Sequence, residues 1–400
     1  MLSVDEAQET ILGAVRRTPV EWVSLPQSLG RTLAEEMRAS LDHPPWDASA
    51  MDGYAVRASD VRAASRESPC RLAILETLLA GRMPQHAIGP NQTAKIMTGA
   101  PIPSGADAVV WLEGTQQHGD VVDVFEPVEV GEDIRRRGEA LRVGDEVLSP
   151  GVRVRPAEVG IMASLGRTTV AVYQRPSVAI LVTGDELAQP GESRAAGQIY
   201  NSNGPALAAQ VMEAGGMPIC LGIARDAPDD LRAKINAARR ADLIVVSGGV
   251  SVGEADFVKA VLSDLGVQLA FWRVAMKPGH PLAFGTWEGR LVFGLPGNPV
   301  SVMVAFEQFV RPALLSALGR REVFRPTRHA TLDEAIYKRA GRRHFVRATL
   351  SVRDGACHVR PTGDQGSGTL LSMVRADALI VLPEGREQFH VGETVQVQLF

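Results

Sequence analysis

The sequence predicts a multidomain α/β plus β protein whose centre is a doubly wound, largely parallel sheet, and three observations carry that prediction. Between about Arg175 and Gly319, short apolar runs alternate with longer helical segments. On either side the pattern turns β-like, with turn-rich loops between short strands. The 400 residues are enough for roughly two to three domains of about 150 residues each.

In chain order, the first element is a short amphipathic helix opened by a capping box, Ser3-x-x-Glu6, with Ala7, Ile11 and Val15 behind it. Leu29 to Met37 also carries a helical pattern. Asp42-His-Pro-Pro-Trp-Asp47 cannot be helical, because each proline fixes φ and pushes its predecessor out of the α region, so it marks a boundary. From Ala50 to about Pro150, runs such as Ala108–Leu112 and Val121–Phe125 predict a small β-rich domain. In the α/β stretch, Val178–Val182 leads to a helix near Asn203, and Ile219–Ile223 to one opening at Pro228-Asp-Asp. Leu243–Val246 leads to Ala255–Leu265, and Leu291–Phe293 to Val300–Leu318. Apolar strands spaced by helices belong to a sheet covered on both faces. After Arg320, Phe345–Val352, Ala378–Leu382 and Thr394–Phe400 predict a small barrel or a sandwich. There is no internal repeat and no low-complexity tract.

Composition narrows the function classes. Lys plus Arg total 42 against 46 Asp plus Glu, so no basic surplus recommends nucleic acid or an anionic membrane as partner. The start is acidic and lacks the basic-then-apolar order of a signal peptide, and no run of about 18 apolar residues is present. A cytoplasmic protein is expected. Cys70, Cys220 and Cys357 are too scattered for a disulfide framework or a zinc or iron–sulfur site.

Ligands of open α/β sheets sit beyond the strand C-termini, so the loops there are the candidates. They read Thr183-Gly-Asp185-Glu186, Arg225-Asp226, Ser247-Gly248-Gly249 through Ser251 to Asp256, Lys277-Pro-Gly-His280-Pro281, and Pro296-Gly297-Asn298-Pro299. Glycines beside hydroxyls let backbone N–H groups approach an oxyanion, and the Ser247 loop runs toward a helix N-terminus. It has neither the Walker nor the dinucleotide spacing. Lys277, framed by Pro278, is a point charge suited to an anion. Asp185, Glu186, Asp226 and Asp256 put carboxylates at one sheet edge, a setting for Mg²⁺ against phosphate, although Asp226 and Asp256 also suit helix capping. Gly249-Val-Ser251-Val-Gly253 matches a serine-hydrolase elbow in letters. The strand ends two residues before it and the helix begins late. Triad histidines could come only from His329, His344, His358 or His390, so this reading is remote.

Several segments resemble the bacterial molybdopterin molybdenumtransferase family, which is homologous to the gephyrin E domain. They are Pro44–Val56 with its Met-Asp-Gly-Tyr, Ile96–Val110 with Met-Thr-Gly-Ala-Pro, Gly131–Gly138, Thr183–Leu187, Tyr200-Asn-Ser-Asn203, Ser247–Asp256, Met276-Lys-Pro-Gly and Leu295–Ser301. The resemblance implies an α/β molybdopterin-binding domain at 1–20 and 176–325, a connecting domain at 21–41 and 139–175, an inserted β-rich domain at 42–138, and a C-terminal β-barrel at 326–400. It implies insertion of molybdenum from molybdate into adenylylated molybdopterin with Mg²⁺, releasing AMP, in a homodimer whose cleft is shared between subunits. The same likeness implies handover to the molybdopterin adenylyltransferase and to molybdoenzyme chaperones, with no nucleic-acid or membrane partner.

Transferred by position, Asp52, Glu186, Asp226, Asp256 and Lys277 are the catalytic candidates, and Asp52, Asp185 and Asp256 the metal candidates. Asp52 and Thr98 would reach the cleft of the other subunit. Ser202, Gly248, Gly249, Ser251, Pro296, Gly297, Asn298 and Pro299, with Asp185, would line the pterin and phosphate site. Arg273, Lys277 and His280 would face molybdate, helped by Arg347 and Ser367. Two positions depart from the family pattern: Ala140 replaces an acidic residue after Glu139, and His280 replaces a second basic residue. A non-catalytic scaffold of the gephyrin kind is the alternative from another class.

Overall fold

The structure is a computed structural model and describes residues 1–250 and 257–400. The chain forms two compact units, one of residues 1–35, 150–160 and 168–400, the other of residues 36–149 and 161–167.

In the first unit, a six-stranded sheet has the order Met217–Ala224, Ser177–Thr183, Leu243–Ser247, Arg290–Leu295, Pro281–Trp287, Gln268–Arg273. The first four are mutually parallel and the last two run antiparallel to their neighbours. Alternation along the strands fills two cores. Val178, Ile180, Leu243 and Val245 face one side with Leu207, Val211 and the buried helices after Pro299. Ala179, Leu181, Ile244 and Val246 face the other with Leu231, Ile235, Val258 and Leu262. Period-two side chains that are apolar on both faces are what a doubly covered sheet requires. The N-terminal helix Val4–Ala14 closes the first core through Val4, Ala7 and Ile11. Its start is fixed by the capping box, in which Ser3 Oγ accepts from Glu6 N–H and Glu6 accepts from Ser3 N–H.

Three elements differ from the sequence expectation. Leu29–Met37 is not a helix: a short helix spans Leu25–Ser28, Gly30 turns with φ 77°, and Thr32 and Leu33 pair as extended bridges with Arg153 and Val172. Gln268–Arg273 and Pro281–Trp287 are strands that the alternation of apolar runs did not reveal. The helical stretch Pro299–Ala317 is long and apolar enough to cross a membrane by length and composition, yet 83% of it is buried inside the protein. Its Glu307 is 4% exposed and is held by Arg325 at 2.9 Å, which satisfies a charge that burial would otherwise make costly.

The C-terminal strands close on themselves. Arg343–Arg353 pairs with Ala356–Pro361 and with Ala378–Leu382, and Thr327–Leu332 and Thr394–Leu399 complete the ring. The expected barrel-or-sandwich alternative therefore resolves to a closed barrel, with Leu332, Val346, Val359, Ile380 and Val397 inside. Met276–Lys277 adds a short parallel strand to it.

The second unit holds another six-stranded sheet, ordered Ala108–Trp111, Gly53–Val56, Gln92–Ile96, Cys70–Leu78, Val121–Val124, Thr115–His118. It packs Tyr54, Val56, Val110 and Val122 on one face and Ala55, Leu78, Ala94 and Ile96 on the other.

Candidate functional site

The parallel strands of the first unit end at Thr183, Ala224, Ser247 and Leu295, and the loops leaving them surround a cavity of about 470 Å³. Of the expected residues, Glu186, Ser202, Asp226, Gly248, Gly249 and Pro296 through Pro299 line it. The backbone explains how they converge. Gly248 N–H donates to Leu295 O, tying two strand ends together, and Gly248 has φ 97°. A Cβ there would sit 2.6 Å from Thr183 O, so only glycine permits this approach. Asp226 Oδ1 accepts from Thr183 Oγ1 at 3.2 Å, and Asp185 Oδ1 accepts from Asp226 N–H at 3.3 Å. Asp185 itself is exposed and does not line the cavity.

Asn201, Asn203, Thr183 and Tyr200, which sequence reasoning placed in candidate segments without giving them a role, also line it. Asn201 Oδ1 accepts from Gly204 N–H and so caps the helix Asn203–Glu213. Ser202, the formal cap position, makes no such bond. The signal was present in Tyr200-Asn-Ser-Asn203, a polar run directly before a helix.

Lys277 and Arg347 fall elsewhere. Together with Lys338, Arg339, Arg342 and His344 they line a second cavity of about 920 Å³ in the same unit. Strand pairing brings them together, since Lys277 is registered with His344 on the barrel strand that also carries Arg347. Lys277 is exposed and, among the described residues, has no carboxylate partner. Arg347 is 1% exposed, donating from Nε to Ser372 Oγ and from a terminal nitrogen to Gly366 O. Lys338 is spent on the backbone, with Nζ donating to Arg342 O at 3.1 Å and Glu384 O at 3.2 Å. Burial, reinforced by Lys338, Lys277 and Arg342, drives the His344 imidazole down to about 4. Burial, then Arg342 and Arg273, also lowers His280, so near neutral pH the positive charge around it comes from the arginines. Ser367 contributes its backbone: its carbonyl accepts from Val300 N–H, joining the barrel loop to the helix that begins at Pro299.

In the second unit, Asp52 and Thr98 meet. They flank the antiparallel partners Gly53 and Ile96, so strand register brings them to the same end. Asp52 Oδ1 accepts from both the N–H and the hydroxyl of Thr98, each at 2.7 Å, and these donors hold the exposed carboxyl below the usual carboxylate range. Gly53 must be glycine, because a Cβ would strike Val110 O. Glu139, the possible substitute for the acid missing at Ala140, is committed to the N–H of Arg136 at 2.7 Å.

The expected metal set of Asp52, Asp185 and Asp256 is divided between the two units and the residues outside the described ones. Asp52 belongs to the second unit, Asp256 and Ser251 lie outside the described residues, and no cluster of three metal-ligating side chains is present among the described residues. Mg²⁺ commonly takes only one or two protein carboxylates and completes its shell with phosphate oxygens and water. Asp185 and Asp226, joined by the contact of the Asp185 carboxylate with the Asp226 N–H, offer carboxylates for that mode.

Known proteins share this fold. The chain matches the MoeA N-terminal region (domain I and II) over residues 2–166, a probable molybdopterin binding domain over 179–316, and the MoeA C-terminal region (domain IV) over 329–400. It is 36% identical to the molybdopterin molybdenumtransferase of Bacillus subtilis, across 100% of this chain and 94% of that protein. Its identity to the Haemophilus influenzae molybdopterin molybdenumtransferase is likewise 36%, across 100% and 99%. A crystal structure of the molybdopterin biosynthesis moeA protein from Pyrococcus horikoshii OT3 superposes with a TM-score of 0.85 at 31% identity, covering 100% of both chains.

Proposed function

The chain belongs to the MoeA family of molybdopterin molybdenumtransferases, and on that basis we propose how its two cavities divide the reaction. The protein is a transferase of molybdenum cofactor biosynthesis. In the proposed reaction, adenylylated molybdopterin occupies the cavity at the ends of the parallel strands, molybdate enters the cationic cavity, and molybdenum passes to the pterin dithiolene as AMP is released.

The observation that carries the reading is the separation of chemistry between the cavities. The first is lined by no lysine, arginine or histidine among the described residues, but by glycine, proline, asparagine and two carboxylates. Such walls suit an uncharged fused ring, with backbone N–H groups free to approach an oxygen of the ester. The second gathers Lys277, Arg339, Arg342 and Arg347, donors suited to a tetrahedral dianion. Lys277 is the adaptable point charge there, and Arg347 is a fixed one held by Ser372 and Gly366. Arg273 and His280 belong to the same proposal, with His280 as a neutral hydrogen-bonding group.

Asp185 and Asp226 would hold Mg²⁺, which neutralises charge on the phosphates when bound. Glu186 orients the ester from the cavity wall. Ser202 and the Pro296–Pro299 turn set the cavity's shape and exclude water. Asp52, kept ionised by Thr98, is supplied by a second copy of the chain in a homodimer. The product leaves for downstream acceptors of the cofactor.

The test is a single-turnover assay of the purified protein with adenylylated molybdopterin, molybdate and Mg²⁺. Equal amounts of AMP and molybdenum cofactor are expected. Failure of AMP release to depend on molybdate would overturn the scheme.

A further inference from the structure

We infer that Asn203 is the residue by which the first cavity reads an amino group carried on a nitrogen heterocycle, an inference that rests on the substrate reading above. Both amide hydrogens of Asn203 are committed. Nδ2 donates to Gly297 O at 2.7 Å and to Ser247 Oγ at 3.1 Å. The Ser247 hydroxyl, 0% exposed, donates onward to Pro296 O at 3.1 Å. Rotating the amide by half a turn would set its oxygen against the Gly297 carbonyl, so the orientation is fixed by chemistry. The oxygen Oδ1 is then an obligate acceptor. It is buried, on a side chain 8% exposed, and accepts no hydrogen bond from any described residue.

An amide oxygen that is buried and unsatisfied is costly, and natural proteins rarely leave one without purpose. Asn203 lines the cavity, and its Oδ1, shielded from water in the free protein, would meet a donor brought by the ligand through a small shift of the side chain. The charged side chains of the lining sharpen the chemistry. Glu186 and Asp226 are acceptors, and no cation is among the described lining residues, while Thr183, Tyr200, Asn201, Ser202 and Asn298 can donate or accept. The wall therefore disfavours an anionic ring and suits a neutral one that offers N–H. An exocyclic amine beside a ring nitrogen is that group, and it is carried both by a pterin and by adenine. The tether through Ser247 to Pro296 makes the recognition rigid, since it links three strand-end loops through one side chain.

The experiment measures binding of two matched pairs: pterin against lumazine, in which the amine is replaced by an oxo group, and AMP against IMP, which differ in the same way. Each is titrated calorimetrically into wild type, Asn203→Ala and Asn203→Leu. The expected result is that wild type prefers the amine member of at least one pair by about tenfold, the scale of one hydrogen bond. Asn203→Ala loses the preference while still binding the oxo member. Asn203→Leu, similar in size but without an acceptor, loses it as well. Should Asn203→Ala fail to fold, the leucine variant decides alone, because a native melting curve with the amine preference intact overturns the inference. Preference surviving in Asn203→Ala also overturns it and leaves the substrate reading intact. Wild type that binds none of the four compounds overturns the substrate reading and this inference together.

Discussion

The two cavities of the first unit are built from opposite materials. One is framed by backbone: strand ends tied by Gly248 N–H to Leu295 O, a proline-bounded turn, and amides held by Ser247. The other is framed by long cationic side chains gathered where Lys277 pairs with the barrel. They are not independent, because the Lys277 loop packs on the helix that begins at Pro299. At Gly279, with φ 96°, an added Cβ would lie 3.3 Å from Ser301 O and 3.7 Å from Ala305 Cβ, so the loop passes close to that helix, while Pro299 lines the first cavity. Rigidity and charge have thus been assigned to different places. A shaped cavity recognises a ring, and a charged one captures an anion.

Removing charge from one side only puts this contrast under the greatest strain. Lys277→Ala is expected to lower kcat/KM for molybdate by about a hundredfold, the scale of losing a charge-assisted contact in a reacting site, with pterin affinity within about twofold of wild type. Steady-state kinetics at varied molybdate checks the first part and titration the second. Equal loss of both would erase the distinction.

The next test asks whether each site needs a second copy. Asp52→Ala and Lys277→Ala, each expected to be nearly inactive alone, are mixed so that their dimers exchange. About half of the dimers are then mixed, each with one intact site, so about a quarter of wild-type activity is expected. No recovery would place Asp52 and Lys277 in the same subunit's site, and wild-type activity of Asp52→Ala alone would remove Asp52 from it.

Shape is tested by Gly248→Ala. The added methyl meets Thr183 O and forces a left-handed backbone, so a loss of about 1–3 kcal/mol in urea unfolding is expected, with weakened pterin binding. Molybdate affinity should be nearly unchanged.

The smallest effect concerns protonation. Burial and the neighbouring Lys338, Lys277 and Arg342 hold His344 at about 4 in the folded protein, against about 6.5 when unfolded. Between those values the unfolded chain binds the extra proton, so this group's contribution is complete above pH 6.5 and is lost as pH falls toward 4. His344→Asn should flatten the fall in stability across that window in denaturant melts at stepped pH.

How much of this was legible depended on whether the determinant was local. The Ser3–Glu6 capping box spans one turn and reads directly from sequence. Leu29–Met37 reads as a helix too, but its fate is decided by Arg153 and Val172, far along the chain, and by the turn at Gly30. The strand Pro281–Trp287 was hidden because Pro281 and Gly285 punctuate it. Gly285 belongs there because a Cβ would press on Gln268 O of the neighbouring strand. The first cavity was largely visible, since a parallel sheet places ligands at strand ends by rule. Asn203 escaped because its meaning lies in an unpaired oxygen, a property of geometry rather than of residue type. The second cavity was visible only at Lys277 and Arg347. Lys338, Arg339, Arg342 and His344 join them through one strand register that no local pattern encodes.

Diffraction at the molybdenum absorption edge, from crystals soaked with molybdate and a pterin, is the decisive test of this division of labour. An anomalous peak is predicted within reach of Lys277 and Arg347, with the pterin ring separately against Asn203 and Gly297. A peak in the cavity beyond the parallel strands, and none beside Lys277, would contradict it.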